Sequence, residues 1–276
     1  MKKIITLFAA LFMLSNVFYS QEKYEVFPDD LLIQPFTANM IEPKVGFLFE
    51  TDHNDLRLDI GNSMDIVRMN IKDNQSFSFG ADFFTYTKLR SEDNFHFPVD
   101  AVDYLFGVNF GYKKLFGENE YGARLRISHI SAHLVDGHYD KTLDAWRDGH
   151  EPRVYSREFI ELMPFYRMND LRVYAGFTYL FHVTPDLGKD SYQCGFDYYW
   201  TDMLGKYITP YAAYDLKLVN IDTYTGNNSL NLGVKFGKPY GKGFSVYFHY
   251  YNGKSVHGEY YEYNREYSAI GINLDL

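Results

Sequence analysis

The stretch LRVYAGFTYLFHV, Leu171 to Val183, alternates from end to end. Leu171, Val173, Ala175, Phe177, Tyr179, Phe181 and Val183 fall on one side of an extended chain. Arg172, Tyr174, Gly176, Thr178, Leu180 and His182 fall on the other. A period of two marks a β-strand with unlike faces. Here one face is apolar throughout, and the run is long enough to cross a bilayer as a tilted strand, which takes roughly 9–11 residues.

The same rhythm recurs toward the C-terminus. SVYFHYY sets Val246, Phe248 and Tyr250 against Ser245, Tyr247 and His249. SLNLGVKF sets Leu230, Leu232, Val234 and Phe236 against Asn231, Gly233 and Lys235. The last residues put Ile270, Ile272, Leu274 and Leu276 on one face. Soluble sandwiches alternate too, so the decision rests on composition and on the connections.

Aromatic residues make up 19% of the chain, with 26 Tyr and 24 Phe. Tyrosine concentrates where proteins cross a membrane–water interface. The chain opens MKKIITLFAALFMLSNVFYS, a charged start followed by an apolar run too short to span a bilayer. Residues 1–20 are therefore expected to be a secretory signal peptide, and no later apolar stretch is long enough for a transmembrane helix. An exported, tyrosine-rich chain without such a helix enters a membrane as a closed barrel. The net charge is −9, or −11 without Lys2 and Lys3, which argues against nucleic acid as a partner. Cys194 is the only cysteine, so no intramolecular disulfide or thiolate metal cluster forms.

Twelve strands are predicted, near 43–53, 55–71, 75–88, 99–115, 119–134, 153–168, 170–184, 189–201, 206–220, 226–237, 242–252 and 264–276. A change of face near Gly61-Asn62-Ser63 predicts a bulge in the second. Connections after even-numbered strands are tight, as at Lys72-Asp73-Asn74, Phe116-Gly117 and Asn169. Those after odd-numbered strands are mostly longer and polar, as at 89–98, 135–152 and 253–263, while the first, near His53-Asn54, is short. Short periplasmic turns alternating with long external loops are the habit of outer-membrane barrels, and a soluble sandwich has no reason for it. The expected fold is all-β, an antiparallel transmembrane β-barrel of about 12 strands. Residues 21–42 form a periplasmic N-terminal lead-in, and 43–276 form the barrel in a Gram-negative outer membrane, with both termini periplasmic.

The inward side carries Asp82, Asp103, Arg124, Arg126, Arg157, Glu161, Arg172, Asp197, Asp215, Lys217 and Lys235. Both signs are present, and twelve strands leave a narrow interior, so ion pairs are expected to cross-link the lumen. A narrow porin is the competing reading.

Three groups of residues resemble a family known as domain of unknown function 1207, found in bacterial outer membranes. Phe27-Pro28, Pro35, Ala38 and Glu42-Pro43 resemble its proline-punctuated lead-in, although Asn39 and Met40 replace its usual Asp and Pro. His129, Ser131, His133 and Asp136 resemble its H-x-S-x-H-x-x-D segment. Tyr250, Tyr251, Gly253, Ser255, Gly258 and Tyr261 resemble its closing pattern. The resemblance implies a single-domain outer-membrane barrel and supplies no activity.

The segment RISHISAHLVDG, Arg126 to Gly137, is the chemically suggestive part. His129, Ser131 and His133 share the parity of the apolar Ala123, Leu125 and Ile127, so they face outward near the external end of the fifth strand. Outer-membrane phospholipase A and lipid A 3-O-deacylase carry a similar outward His-x-Ser, with an asparagine after the serine where this chain has Ala132. A serine nucleophile needs a base and a group that orients the base. If Leu134 lies opposite Arg153, His129 faces Glu158, Ser131 faces Ser156, and inward Arg126 faces Glu161. Ser131, His129 and Glu158 are thus candidates for nucleophile, base and orienter. His182 and His249 are read as inward histidines.

His133 at the end of the fifth strand, with Asp136, Trp146 and Arg147 of the following loop LVDGHYDKTLDAWRDGHEPR, supplies a binding rim suited to lipopolysaccharide or lipid headgroups. The loop's carboxylates would suit Ca2+, but the spacing matches no EF-hand, and no other cofactor or metal is expected. The first functional reading is an outer-membrane barrel of uncharacterised activity with a structural or envelope-interaction role. The alternative is a lipid-ester hydrolase. Expected partners are outer-membrane lipids or lipopolysaccharide and the barrel assembly machinery.

Overall fold

The computed structural model describes residues 24–71 and 74–276. The expected signal segment lies outside them, as do Lys72 and Asp73 of the first tight turn. After a short strand β1 (Tyr24–Val26) come β2 (Val45–Glu50), β3 (Asp55–Ile71), β4 (Gln75–Arg90), β5 (Val99–Phe116) and β6 (Asn119–Leu134). The long connection that follows carries a small hairpin, β7 (Tyr139–Asp140) and β8 (Ala145–Trp146). The wall continues with β9 (Tyr155–Met168), β10 (Leu171–Thr184), β11 (Asp190–Tyr199) and β12 (Ile208–Asn220). It ends with β13 (Tyr224–Gly237), β14 (Gly243–Lys254) and β15 (Asn264–Asp275).

Every wall strand pairs antiparallel with its neighbours, and β15 returns to β2 between Ala269↔Glu50 and Leu274↔Val45. That last ladder closes a twelve-stranded barrel from β2–β6 and β9–β15, as the alternation predicts. Closure pairs the edges that an open sheet would expose, the condition for placing strands in hydrocarbon. The turns follow the expected parity. Gly117-Glu118 and Asn169-Asp170 each join two strands in two residues, with positive φ at Gly117 and Asn169. One end of the barrel therefore bears short turns, and the other bears the long connections.

The apolar rows point outward. Phe77, Phe79, Phe83, Phe106, Phe110, Ile127, Phe177, Phe248 and Ile270 are all exposed. The bulge expected near Gly61-Asn62-Ser63 sits instead at Ile66, where the β3–β4 register shifts between Asp65 and Val67. Gly61 has another reason to be glycine. It faces the bore, and a Cβ there would lie 2.1 Å from Cβ of the buried Phe84.

The lead-in departs from the expectation most. It does not hang in the periplasm: it leaves the wall after β1, turns into the bore, and returns as β2. Leu32, Ile33, Phe36, Ala38, Met40 and Ile41 are buried there. Because this segment joins no ladder, its backbone groups need other partners, and inward side chains supply them. Arg172 Nη1 donates to Gln34 O at 2.8 Å, Arg57 Nη2 to Met40 O at 2.7 Å, and Arg126 Nη1 to Ile41 O at 3.2 Å. Leu32 N–H donates to Asp65 Oδ2 at 2.7 Å, and Thr37 N–H to Asp197 Oδ1 at 3.1 Å. The Phe36 ring is covered by the guanidinium groups of Arg172 and Arg124, 4.6 and 5.0 Å from its centre.

Ion pairs tie this plug to the wall. Arg124 donates to both oxygens of Glu42, and Arg126 Nη2 lies 3.3 Å from Glu42 Oε2. Arg126, wholly buried, also meets Asp82 at 3.2 Å and Glu161 at 3.8 Å. Arg172 pairs with Asp197, and Lys235 with Asp275. The cross-linked lumen is thus present, with its own N-terminal segment as one of the linked parts.

Candidate active site

The even side chains of β6 are buried, and the odd ones face out: Tyr121, Ala123, Leu125 and Ile127, then His129, Ser131 and His133. β6 and β9 meet in the expected register, His129↔Glu158, Ser131↔Ser156 and Arg126↔Glu161. The pairing has a chemical consequence on the outer face. Since an ionised carboxylate only accepts hydrogen bonds, His129 Nδ1 carries a proton and donates it to Glu158 Oε1 at 2.7 Å. In the neutral ring Nε2 then keeps its lone pair, the state a general base requires.

Phe106 on β5 packs against the His129 ring, with centroids 4.8 Å apart, and restricts how it can turn. Ser131 stands one pair nearer the long-loop end, between Tyr104 and Ser156. Among the described residues its hydroxyl makes no hydrogen bond to His129. Two residues along one strand separate their Cα atoms by about 7 Å. The candidate orienter and base are therefore in contact, and the candidate nucleophile stands beside them without touching the base.

A third member was missed. His182, read as inward, points outward and donates from Nδ1 to Glu158 Oε2 at 2.5 Å. The physical reason is a bulge: the β9–β10 register shifts between Leu180 and His182, which reverses the facing beyond Phe181. Strict alternation through LFHV carried no sign of it. His249 does face inward, with Nδ1 2.6 Å from Asn231 Oδ1.

The rim residues divide. His133 stays on the outer wall beside Tyr104, and Asp136 is exposed in the following connection. Trp146 and Arg147 instead line a cavity of about 720 Å³ at the long-loop end, with His150, Tyr260 and Tyr263. The His150 and Tyr260 rings stack there at 4.8 Å. The cavity's cations are matched: Arg265 lies 2.7 Å from Glu50 and 2.8 Å from Asp55, and Arg147 lies 3.5 Å from Asp140. The acidic loop does not gather its carboxylates. Asp140 caps the N–H groups of Thr142 and Leu143, Asp144 accepts from Tyr139, and no metal-binding group of three or more is found among the described residues.

The connection after β14 is folded down into the barrel mouth. Asp103, inward on β5, accepts Gly258 N–H at 2.7 Å and His257 Nδ1–H at 3.0 Å. Burial pushes the His257 imidazole below its usual range, against the pull of Asp103. Gly258 has no room for a side chain, since a Cβ would lie 2.3 Å from Tyr155 and 2.7 Å from Ala132.

The model of the family described as Protein of unknown function (DUF1207) matches residues 99–276. The chain belongs to this family. The DUF1207 match thus includes the strand bearing His129 and Ser131 and the closing segment around Gly258, which the fold brings into contact. Among curated proteins none matches the chain. Solved structures similar to this DUF1207 barrel include two outer-membrane phospholipases. Outer membrane phospholipase A from Escherichia coli superposes with a TM-score of 0.51 and 17% identity, over 80% of this chain and 84% of that one. The Salmonella typhi outer membrane phospholipase dimer with bound calcium gives a TM-score of 0.52 and 15% identity, over 87% and 93%. At these identities the likeness establishes the fold: this DUF1207 member is an outer-membrane β-barrel.

Proposed function

We propose that the protein is a lipid-ester hydrolase acting from the outer face of its barrel on acyl esters of membrane lipids, phospholipid or lipid A. One observation carries the reading: Glu158 holds outward His129 by Nδ1, two residues from Ser131. In this scheme Ser131 Oγ attacks the ester carbonyl and passes its proton to His129 Nε2. That proton then goes to the departing alcohol, and water deacylates the serine by the same route. The long-loop end faces outward and both termini face the periplasm, which sets the cluster at headgroup level, where polar side chains are tolerated. The barrel assembly machinery is the inserting partner. That the similar E. coli and Salmonella structures are phospholipases supports the same assignment. In apo sites catalytic hydrogen bonds are often not yet formed, so the Ser131–His129 contact is assigned to the lipid-bound state. Purified barrel in mixed micelles should release fatty acid from phospholipid or lipid A, and Ser131→Ala should abolish release. Intact lipid after prolonged incubation with the wild type would overturn the proposal.

A second reading, an envelope-interaction role, is favoured by the aromatic, charge-balanced cavity behind Trp146 and Tyr260. Its occupant would be a saccharide, and a glycan array with Trp146→Ala as control tests it. Passive diffusion is the least supported role, since Glu42 and Phe36 fill the bore. Planar-bilayer recording should give a silent protein.

A further inference from the structure

Two lumen cations that share one cavity form no close ion pair. Arg157 on β9 and Lys217 on β12 both face inward, and among the described residues neither has a carboxylate within 4 Å; Arg157 meets the Tyr86 hydroxyl and lies over the Tyr155 ring at 5.8 Å, and Lys217 is drawn only at longer range by Glu161 and Asp215. Carboxylates are close by and engaged elsewhere. Asp215, two residues from Lys217, accepts Tyr174 OH at 2.7 Å and Gln193 Nε2 at 2.6 Å on the same oxygen. Asp190 is taken by Tyr224 and Asn220. Lys254, a third cation near them, donates to the Glu262 carbonyl at 2.8 Å.

Arg157 and Lys217 line one cavity, above the plug residues Met40 and Ile41. Its walls are mixed: an apolar side of Leu180, Leu187, Val219 and Val256 lies opposite hydroxyl and amide groups and the carboxylates of Asp190 and Asp215, which are already engaged as described. The volume is about 100 Å³, room for roughly seven waters or more on the same measure. Two like charges brought together in a partly dry enclosure repel each other and lose hydration. Every other inward arginine named above is matched by a carboxylate, so this pair is an exception.

We infer that this cavity is a binding site for an anionic amphiphile, a single carboxylate or phosphate head held by Arg157 and Lys217 with a short apolar tail against Leu180, Leu187 and Val219. The site is inside the barrel, and the inference is independent of the ester-hydrolysis reading, whose residues lie on the outside. An anion between the two cations relieves their repulsion, and the apolar walls select against bare inorganic ions.

The test uses full-length barrel in a neutral detergent, titrated calorimetrically with octanoate, octyl phosphate, acetate, inorganic phosphate and 1-octanol. Octanoate or octyl phosphate should bind saturably, and whichever binds tighter identifies the head. Acetate, inorganic phosphate and octanol should each bind at least about tenfold more weakly. The Arg157→Gln/Lys217→Met double variant should weaken amphiphile binding by at least about tenfold. Its urea midpoint without ligand should stay close to or exceed that of the wild type, because neither removed charge has a carboxylate within 4 Å and the two repel each other, and this shows that the variant folds. Unchanged amphiphile binding by the double variant, or no saturable binding to the wild type at millimolar octanoate and octyl phosphate, would overturn the inference. A markedly lowered urea midpoint would overturn its premise that repulsion between the two cations outweighs their longer-range contacts.

Discussion

Glu42 and Arg124, 82 residues apart in sequence, form a two-pronged ion pair in the centre of the barrel, with Arg124 Nη1 2.7 Å from Glu42 Oε2. Glu42→Ala would leave both Arg124 and Arg126 short of a counter-charge. Removing one partner of a buried pair costs about 3–5 kcal/mol. A loss of unfolding free energy of that order, much smaller for Ile41→Val nearby, is expected from urea unfolding followed by tryptophan fluorescence.

His129 and His182 share the Glu158 carboxylate, and the proposed hydrolysis assigns the base to His129 alone. His129→Ala should lower acyl release by about 10²–10⁴-fold, the range for losing a general base. His182→Ala removes only the second hydrogen bond on Glu158 and should change the rate by far less. Equal losses in the two variants, measured with the same mixed-micelle substrate, would show that the assignment of His129 as base is mistaken.

Gly258→Ala forces a methyl group into Tyr155 and Ala132. Overpacking of this kind costs about 1–3 kcal/mol. Since the wall is closed independently, the cost should fall on the connection 255–263, seen as faster cleavage after Lys254 in limited trypsinolysis. Heat-modifiable migration of the barrel should be unchanged.

Burial holds His257 below its ordinary value of 6.5. The folded mouth therefore takes up a proton less readily than the released loop. Stability from this group is full above that value and is lost as pH falls through it toward the lowered one. Acidification should loosen the connection, read out through Trp146, which stacks on His138 beside Tyr260. His257→Gln should lack that component. A transition of the same size in the variant would assign it to another histidine.

The barrel was legible because its rules are local. Alternation in Leu171–Phe181 and Leu230–Phe236 marked the faces, and the parity of the connections marked the ends. Even the β6–β9 register followed from placing Leu134 opposite Arg153, which sets Arg126 against Glu161. What stayed hidden depended on partners far along the chain. Residues 31–42 have no period because they join no ladder, and their acceptors are met by Arg57, Arg126 and Arg172 from three separate strands. The bulge at Phe181 left no break in the apolar row, so His182 was placed on the wrong side. Which inward charges lacked a mate depended on how each carboxylate was already engaged, as at Asp215.

The plug is tethered at both ends. β1 lies on β3 at Val67–Met69, and Val45 begins the strand that meets β15. It is therefore not a stopper that a free end could withdraw. The strand that zips the circle shut begins three residues after Glu42, so seating Glu42 on Arg124 and Arg126 also brings β2 to its seam with β15. A nascent sheet whose Arg124 and Arg126 had not yet captured Glu42 would hold its first strand out of reach of its last. Internal charge pairing would in this way act as a checkpoint on completion of the wall.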